Sequence, residues 1–258
     1  MAYTYKKNLA KRTNYGNKRD YSTIKYLVLH YTANDGDTDE NNGKYFSNNQ
    51  VNASAHYFID SDSVTQSVPD NFTAWSVGGA KWSDCAKTGG GKLYGKVTNA
   101  NSLSFELCDD KKNGTIYPSA ETIENALTLI KAKMKEYKIP ADRVIRHFDV
   151  NGKHCPAYWI DDAKWKAEFH DKLTAVPKFE PYKITTTVSS LNVRKGAGTS
   201  YKVCGMITDN ANLVKSNPSY YFPKTVYTIV EEKKNGLTTW GKLKSGAGWI
   251  SLGYCKKV

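Results

Sequence analysis

The chain has 258 residues, 40% of them hydrophobic, which is enough for a sizeable core and for two domains. No apolar run approaches the roughly 18 residues that span a bilayer, which excludes a helical membrane protein. The net charge of +12 favours an anionic partner, and nucleic acid, acidic lipid and anionic wall polymer all satisfy charge alone. Five cysteines, Cys85, Cys108, Cys155, Cys204 and Cys255, are an odd number and argue against a disulfide framework. The first ten residues lack the apolar stretch of a secretory signal, which predicts a protein made and held in a cytoplasm.

In chain order, Ile24 to His30 is a nearly continuous apolar run of strand length, predicting a strand buried on both faces. His30 closes it and a polar loop from Tyr31 to Asn42 follows, so the histidine sits where open α/β sheets gather their chemistry. Ala55–Asp60 and Val64–Val68 flank a Ser-Asp-Ser turn and read as a hairpin. The stretch 78–101, rich in Gly and Lys with Trp82 and Tyr94, reads as an exposed loop that could contact glycan or peptide. Ser102–Cys108 alternates, placing Leu103, Phe105 and Leu107 on one face and Ser102, Ser104, Glu106 and Cys108 on the other. The bland reading of Glu106 is a solvated carboxylate on a half-exposed sheet.

A helix is predicted from Ser119 to Tyr137, where Ile123, Ala126, Leu127, Ile130, Met134 and Tyr137 recur at helical spacing behind a Ser119 cap. A second covers about 161–173, with Trp165, Phe169 and Leu173 on one stripe. Two prolines then mark an interdomain linker over 176–183. From 184 to 258 every signal is β: the runs beginning at Val188, Thr225, Thr239 and Gly248 are short and separated by Gly, Asn and Lys turns, as in a small barrel. This region holds about 12 Lys and Arg against 4 Asp and Glu from Phe179 onward, a bias suited to anionic polymers.

The densest chemistry lies in Arg146 to Pro156, which places His147, Lys153 and Cys155 within nine residues. His147 and Cys155 are borderline-soft ligands suited to Zn²⁺, and in extended chain Lys153 and Cys155 would face the same side. With His30 as a third ligand, a zinc ion would keep its fourth position for water, the catalytic pattern rather than the structural one. Asp149, two residues after His147, is a candidate to hold the imidazole's second nitrogen or a simple turn residue.

These stretches resemble the zinc-dependent N-acetylmuramoyl-L-alanine amidases of the type 2 family, which includes phage endolysins and is related to peptidoglycan recognition proteins. The matching pieces, over about residues 20–174, are the strand ending in His30, Ser54-Ala-His-Tyr-Phe58, Ala74-Trp75, Ser102-Leu-Ser-Phe-Glu106 and the block from His147 to Pro156. The resemblance implies an α/β fold with a mixed central sheet flanked by helices over 1–175. One Zn²⁺ would be held by His30, His147 and Cys155. It further implies that Glu106 carries the proton from water to the leaving nitrogen and that Lys153 stabilises the oxyanion, with Trp75 and His56 as substrate-binding candidates. Some relatives carry a tyrosine before the position of His56, where this chain has Ala55, and many have histidine where it has Ser76.

The C-terminal region resembles bacterial SH3-like wall-binding domains through Leu191–Ser200 and Trp240–Trp249, with a stretch from 206 to 224 longer than the usual loop. Together the two resemblances imply a peptidoglycan hydrolase that cuts the amide between N-acetylmuramic acid and L-alanine. Its partners would be peptidoglycan and anionic wall polymers, not nucleic acid. It would stay in the host bacterial cytoplasm until lysis and reach the wall thereafter. A non-catalytic peptidoglycan-binding protein and a zinc endopeptidase of the stem peptide are the alternatives.

Overall fold

The structure, a computed structural model, describes residues 3–175, 179–221 and 225–258. It divides into two compact units, Met1–Ala175 and Val176–Val258. Residues 176–178 of the expected linker and 222–224 of the expected long loop lie outside the described residues. No helix among the described residues is long and apolar enough to cross a membrane.

The first unit is built on β1 (Thr4–Lys7), β3 (Tyr26–Asp35), β4 (Tyr57–Ile59), β5 (Ser63–Gln66), β7 (Ser102–Asp109) and β8 (Val144–Arg146). They form a six-stranded sheet in the order β1-β5-β4-β7-β3-β8, and β2 (Tyr15–Lys18) pairs separately with β6 (Phe72–Ala74). The β4–β5 pair is the antiparallel hairpin expected from the turn, while β4 pairs with β7, β7 with β3 and β3 with β8 in parallel, so the sheet is mixed. Its helices are α1 (Asp39–Asn48), α2 (Cys85–Thr88), α3 (Ala120–Tyr137), α4 (His147–Asn151) and α5 (Asp162–Glu168).

One face of the sheet carries Leu27, Leu29, Tyr57, Leu103, Phe105 and Leu107 against Ala126, Leu127 and Ile130 of α3, all buried. The α3 boundary follows its cap, since the Ser119 side chain accepts from the Thr122 N–H. The second expected helix is shorter: α5 ends at Glu168, Phe169 leaves helical geometry, and His170–Leu173 is a 3₁₀ turn. Its stripe is buried as expected because Trp165 stacks on Phe169 at 5.2 Å and both meet Trp159, so aromatic packing rather than helical continuity holds the segment.

Two local readings change. β3 does not end at His30 but runs on to Asp35 with its pairing interrupted after Tyr31, where Ala33 takes a positive φ of 59°. Nor is the polar face of β7 half-exposed, since Ser102, Ser104 and Cys108 are all buried and form an internal polar layer.

The second unit is all-β apart from α6 (Ala211–Ser216). Its sheet takes the order β12-β11-β10-β15-β14-β13-β9-β16, so among the described residues its hydrogen-bonded order has two ends. The four expected strands appear as β10 (Ser190–Arg194), β13 (Tyr227–Asn235), β14 (Thr238–Leu243) and β15 (Trp249–Ser251). β9 (Tyr182–Thr186) starts inside the expected linker, and β11 (Val203–Thr208), β12 (Tyr220–Tyr221) and β16 (Cys255–Lys257) complete the sheet. Ile184, Leu191, Val193, Ile207, Ile229, Leu243 and Ile250 form its core. Gly248 is required there, because a Cβ would lie 2.4 Å from the Arg194 carbonyl oxygen.

Truncating the centre of the first core tests this packing. Ile130→Ala, at a fully buried position, is expected to cost about 2–5 kcal/mol in urea unfolding of the first unit. A cost below 1 kcal/mol would contradict the α3–sheet contact.

Candidate active site

Parallel register assembles the chemistry. His30 is paired with Glu106, Glu106 with Phe58, and Leu29 with Arg146, so His147 follows directly beside His30 on the far edge. These residues occupy one rung across β4, β7, β3 and the start of α4, on the face opposite the α3 core.

His30, His147 and Cys155 are all buried, and one ligand atom from each lies within 4.8 Å of the others. The Cys155 Sγ is 3.7 Å from His30 Nδ1, and the two imidazole rings are 4.7 Å apart. Burial, then the charge of Lys153, pushes the His147 pKa down to about 3, and burial, then His147 and Lys153, holds His30 well below its usual value, so both rings are neutral and keep a lone pair for a metal. The Cys155 thiol is raised by burial and by Glu106, with the Tyr31 N–H and Lys153 pulling the other way. His30 Nε2 and both ring nitrogens of His147 are buried without a hydrogen-bond partner. Orphaned buried nitrogens are costly, and two imidazoles and a thiol are the donor set a zinc-type ion takes. These residues therefore form a group that could hold a metal ion.

Glu106 lies beside it, with Oε1 3.9 Å from His30 Nδ1 and Oε2 buried without a partner. Burial raises its pKa to about 8, Lys153 opposes the rise and Asp37 adds to it. Glu106 and Lys153 both line a cleft of about 600 Å³ whose other wall is Asn41, Asn42, Tyr45 and Phe46 of α1. The extended chain expected at Lys153 and Cys155 is not found. The Cys155 N–H turns back onto the Lys153 carbonyl at 2.6 Å, so the lysine faces the cleft while the thiol is buried.

The other candidates lie elsewhere. His56 is 1% exposed: its Nδ1 accepts from the Ser104 N–H at 3.0 Å and its Nε2 meets the Phe72 carbonyl at 3.1 Å. It contacts the polar layer, not the cleft. Trp75 is partly exposed, its backbone is paired with Ser54, and it is not among the residues lining the cleft that holds Glu106 and Lys153. Asp149 does not hold His147; both of its oxygens accept from the Arg146 guanidinium, at 3.0 and 2.6 Å. Sequence reading missed α1, although Thr38 caps it by accepting from the Asn41 N–H and Asp39 and Glu40 fill its first turn.

Residues 20–158, more than half of the chain, match the family model described as N-acetylmuramoyl-L-alanine amidase. The chain belongs to this family. It is 30% identical over 241 residues to the N-acetylmuramoyl-L-alanine amidase BlyA of Bacillus subtilis, covering 87% of this chain and 64% of that protein. To the N-acetylmuramoyl-L-alanine amidase CwlA of the same species it is 32% identical over 166 residues, 64% of this chain and 55% of the relative. It thus spans less than two thirds of the length of these relatives. Among solved structures, PlyL aligns at TM-score 0.51 and 28% identity, covering 67% of this chain and 98% of that chain. The PlyG catalytic domain aligns at TM-score 0.50 and 26% identity, covering 69% of this chain and 99% of that one. The family match spans His30, His56, Trp75, Glu106, His147, Lys153 and Cys155.

The buried imidazole of His56 gives a pH test. Burial and Arg19 push its pKa down to about 3 from 6.5, so between those values the unfolded chain binds the extra proton. Stability from this group is complete above pH 6.5 and is lost as pH falls toward the folded value. His56→Gln is therefore expected to flatten the decline of unfolding free energy below pH 6.5 by about one proton in urea titrations. Unchanged slopes would show that His56 is solvated.

Proposed function

We propose that the chain is a zinc-dependent peptidoglycan hydrolase that adds water across the amide between N-acetylmuramic acid and the L-alanine of the stem peptide. The products are a lactyl carboxylate and a peptide with a free L-alanine amino terminus. The observation that carries the reading is the buried His30, His147 and Cys155 cluster beside Glu106, within a segment matched by the amidase family.

The two imidazoles and the thiolate would hold the ion, and zinc held there supplies Lewis acidity at the point of attack. Glu106 Oε2, buried and unpartnered, accepts a proton from the attacking water and delivers it to the departing nitrogen. The raised pKa of Glu106 suits a group that must both take and return that proton near neutrality. Lys153, on the same cleft, places an ammonium against the tetrahedral oxyanion. Asn41 and Tyr45 on α1 present an amide and an exposed ring to the peptide or sugar flanking the reacting bond.

The second unit is proposed as an SH3-like wall-binding module. Its basic bias supports attraction to anionic wall polymers. So do two adjoining cavities of about 700 and 470 Å³ that share Thr238, Ser251 and Tyr254. Attachment there raises the concentration of the catalytic unit at the wall. The proposal extends to an endolysin of phage or prophage origin, held in the host cytoplasm until the membrane is breached.

Mass spectrometry of digested walls tests the reaction. New L-alanine amino termini are expected; termini further along the stem would indicate an endopeptidase, and no release a binding protein. Cys155→Ala is expected to lose zinc and turnover together, whereas Glu106→Ala keeps zinc and loses turnover by about 10²- to 10⁴-fold. Full activity in Glu106→Ala would remove it from proton transfer. A chain ending at Ala175 is expected to keep its rate on soluble muropeptides and to lose about tenfold or more on intact walls. Equal losses on both substrates would leave the second unit without a targeting role.

A further inference from the structure

The segment from His147 to Cys155 carries two ligand-type residues and Lys153, yet α4 within it is five residues long and too short to hold its own shape. Contacts with residues 78–93 contribute to its geometry, alongside the Arg146–Asp149 cap and the burial of Phe148 and Val150. The Trp82 N–H donates to the Asn151 carbonyl at 2.8 Å, the Gly91 N–H to the Phe148 carbonyl at 2.9 Å and the Leu93 N–H to the Asp149 carbonyl at 2.9 Å. Packing is equally close: a Cβ on Gly152, whose φ is 89°, would lie 2.2 Å from the Cys85 Sγ. The stretch that reads as an exposed specificity loop is thus in part the base on which this block rests.

Asn151 is the junction. It is 3% exposed, and both ends of its amide are used. Nδ2 donates to the Gly78 carbonyl at 3.2 Å, and Oδ1 accepts from the Lys153 N–H at 3.0 Å across the Gly152 turn. The Lys153 carbonyl in turn accepts from the Cys155 N–H, and the Cys155 carbonyl from the Phe148 N–H at 2.9 Å. One side chain therefore connects the 78–93 base to the backbone of Lys153.

We propose that Asn151 is the positioning residue for Lys153: its amide sets where the ammonium enters the cleft, and it acts on the reaction through that lysine. This rests on the reading above, in which Lys153 serves the transition state. A side chain that positions a charge contributes to the rate through that charge, so removing both changes little more than removing the charge alone.

A double-mutant cycle on the full-length, zinc-loaded protein with a soluble muropeptide tests this. Asn151→Ala is expected to lower kcat about tenfold or more while KM stays within about twofold. Asn151→Asp keeps an oxygen acceptor for the Lys153 N–H but sets a second oxygen against the Gly78 carbonyl, so where its zinc content and thermal unfolding match the parent it is expected to recover part of that loss. Lys153→Ala lowers kcat, and Asn151→Ala/Lys153→Ala is expected to match Lys153→Ala to within about twofold. Thermal unfolding and zinc content of each variant separate loss of fold from loss of position. Should Lys153→Ala keep its full rate, the oxyanion role falls and this inference with it. Additive losses in the cycle, or a kcat unchanged in folded, zinc-loaded Asn151→Ala, overturn the positioning role alone.

Discussion

The parallel register of β3 between β7 and β8 is the constraint on which the site depends. It pairs His30 with Glu106, and the end of β8 sets His147, the first residue of α4, beside them, so three candidate groups share one rung. Side chains alternate strictly along a strand, and a slip of one residue in β7 would send Glu106 into the α3 core and bring Phe105 or Leu107 to the site. What prevents that slip is the opposite face, where Leu103, Phe105, Leu107, Leu27 and Leu29 are all essentially excluded from solvent against α3. Hydrophobic packing on one side of the sheet thus aims the chemistry on the other.

The face that carries the chemistry is buried as well, and there the energetics run the opposite way. Ser104 and His56 satisfy one another, and Ser102 donates to the Thr98 carbonyl, so the polar layer behind the site is closed. The site itself is not: His30 Nε2, both nitrogens of His147 and Glu106 Oε2 have no partner. Unsatisfied buried polar atoms each cost about 1–3 kcal/mol, so this rung lowers stability where the rest of the layer maintains it. A cation held by the imidazoles and thiolate would offset that cost and would couple loading of the site to stability of the fold.

Much of this was legible in the chain because the signals were strong where burial is extreme. The run Ile24 to His30 and the periodic stretch behind Ser119 gave β3 and α3, and rare residue types in close order exposed the His147 to Cys155 block. What escaped is what tertiary contacts decide. The continuation of β3 past His30 runs through polar residues, and its irregularity at Ala33 has no sequence signature. The break at Phe169 left the apolar stripe intact, because Trp159 and Trp165 bury that ring whether or not the helix continues. Glu106 and His56 both read as polar positions on strands. Only the fold shows that one opens to a cleft and the other is sealed beneath Phe72 and Ser104.

The two halves of the site therefore differ in kind. His30 and Glu106 are carried by long neighbouring strands whose register is over-determined by the core, so single substitutions at the periphery leave them in place. His147, Lys153 and Cys155 lie on a nine-residue segment shaped by hydrogen bonds from residues 78–93, by the close approach at Gly152, by the Arg146–Asp149 pair and by burial of Phe148 and Val150. A short segment whose backbone bonds run to a neighbouring loop depends on that loop for its position, and a displacement of about an ångström is enough to weaken catalysis. Substitutions in the loop at 78–93 would therefore bear on the second half of the site before the first. In this architecture the sheet carries one part of the centre, and the contacts between α4 and residues 78–93 carry the other.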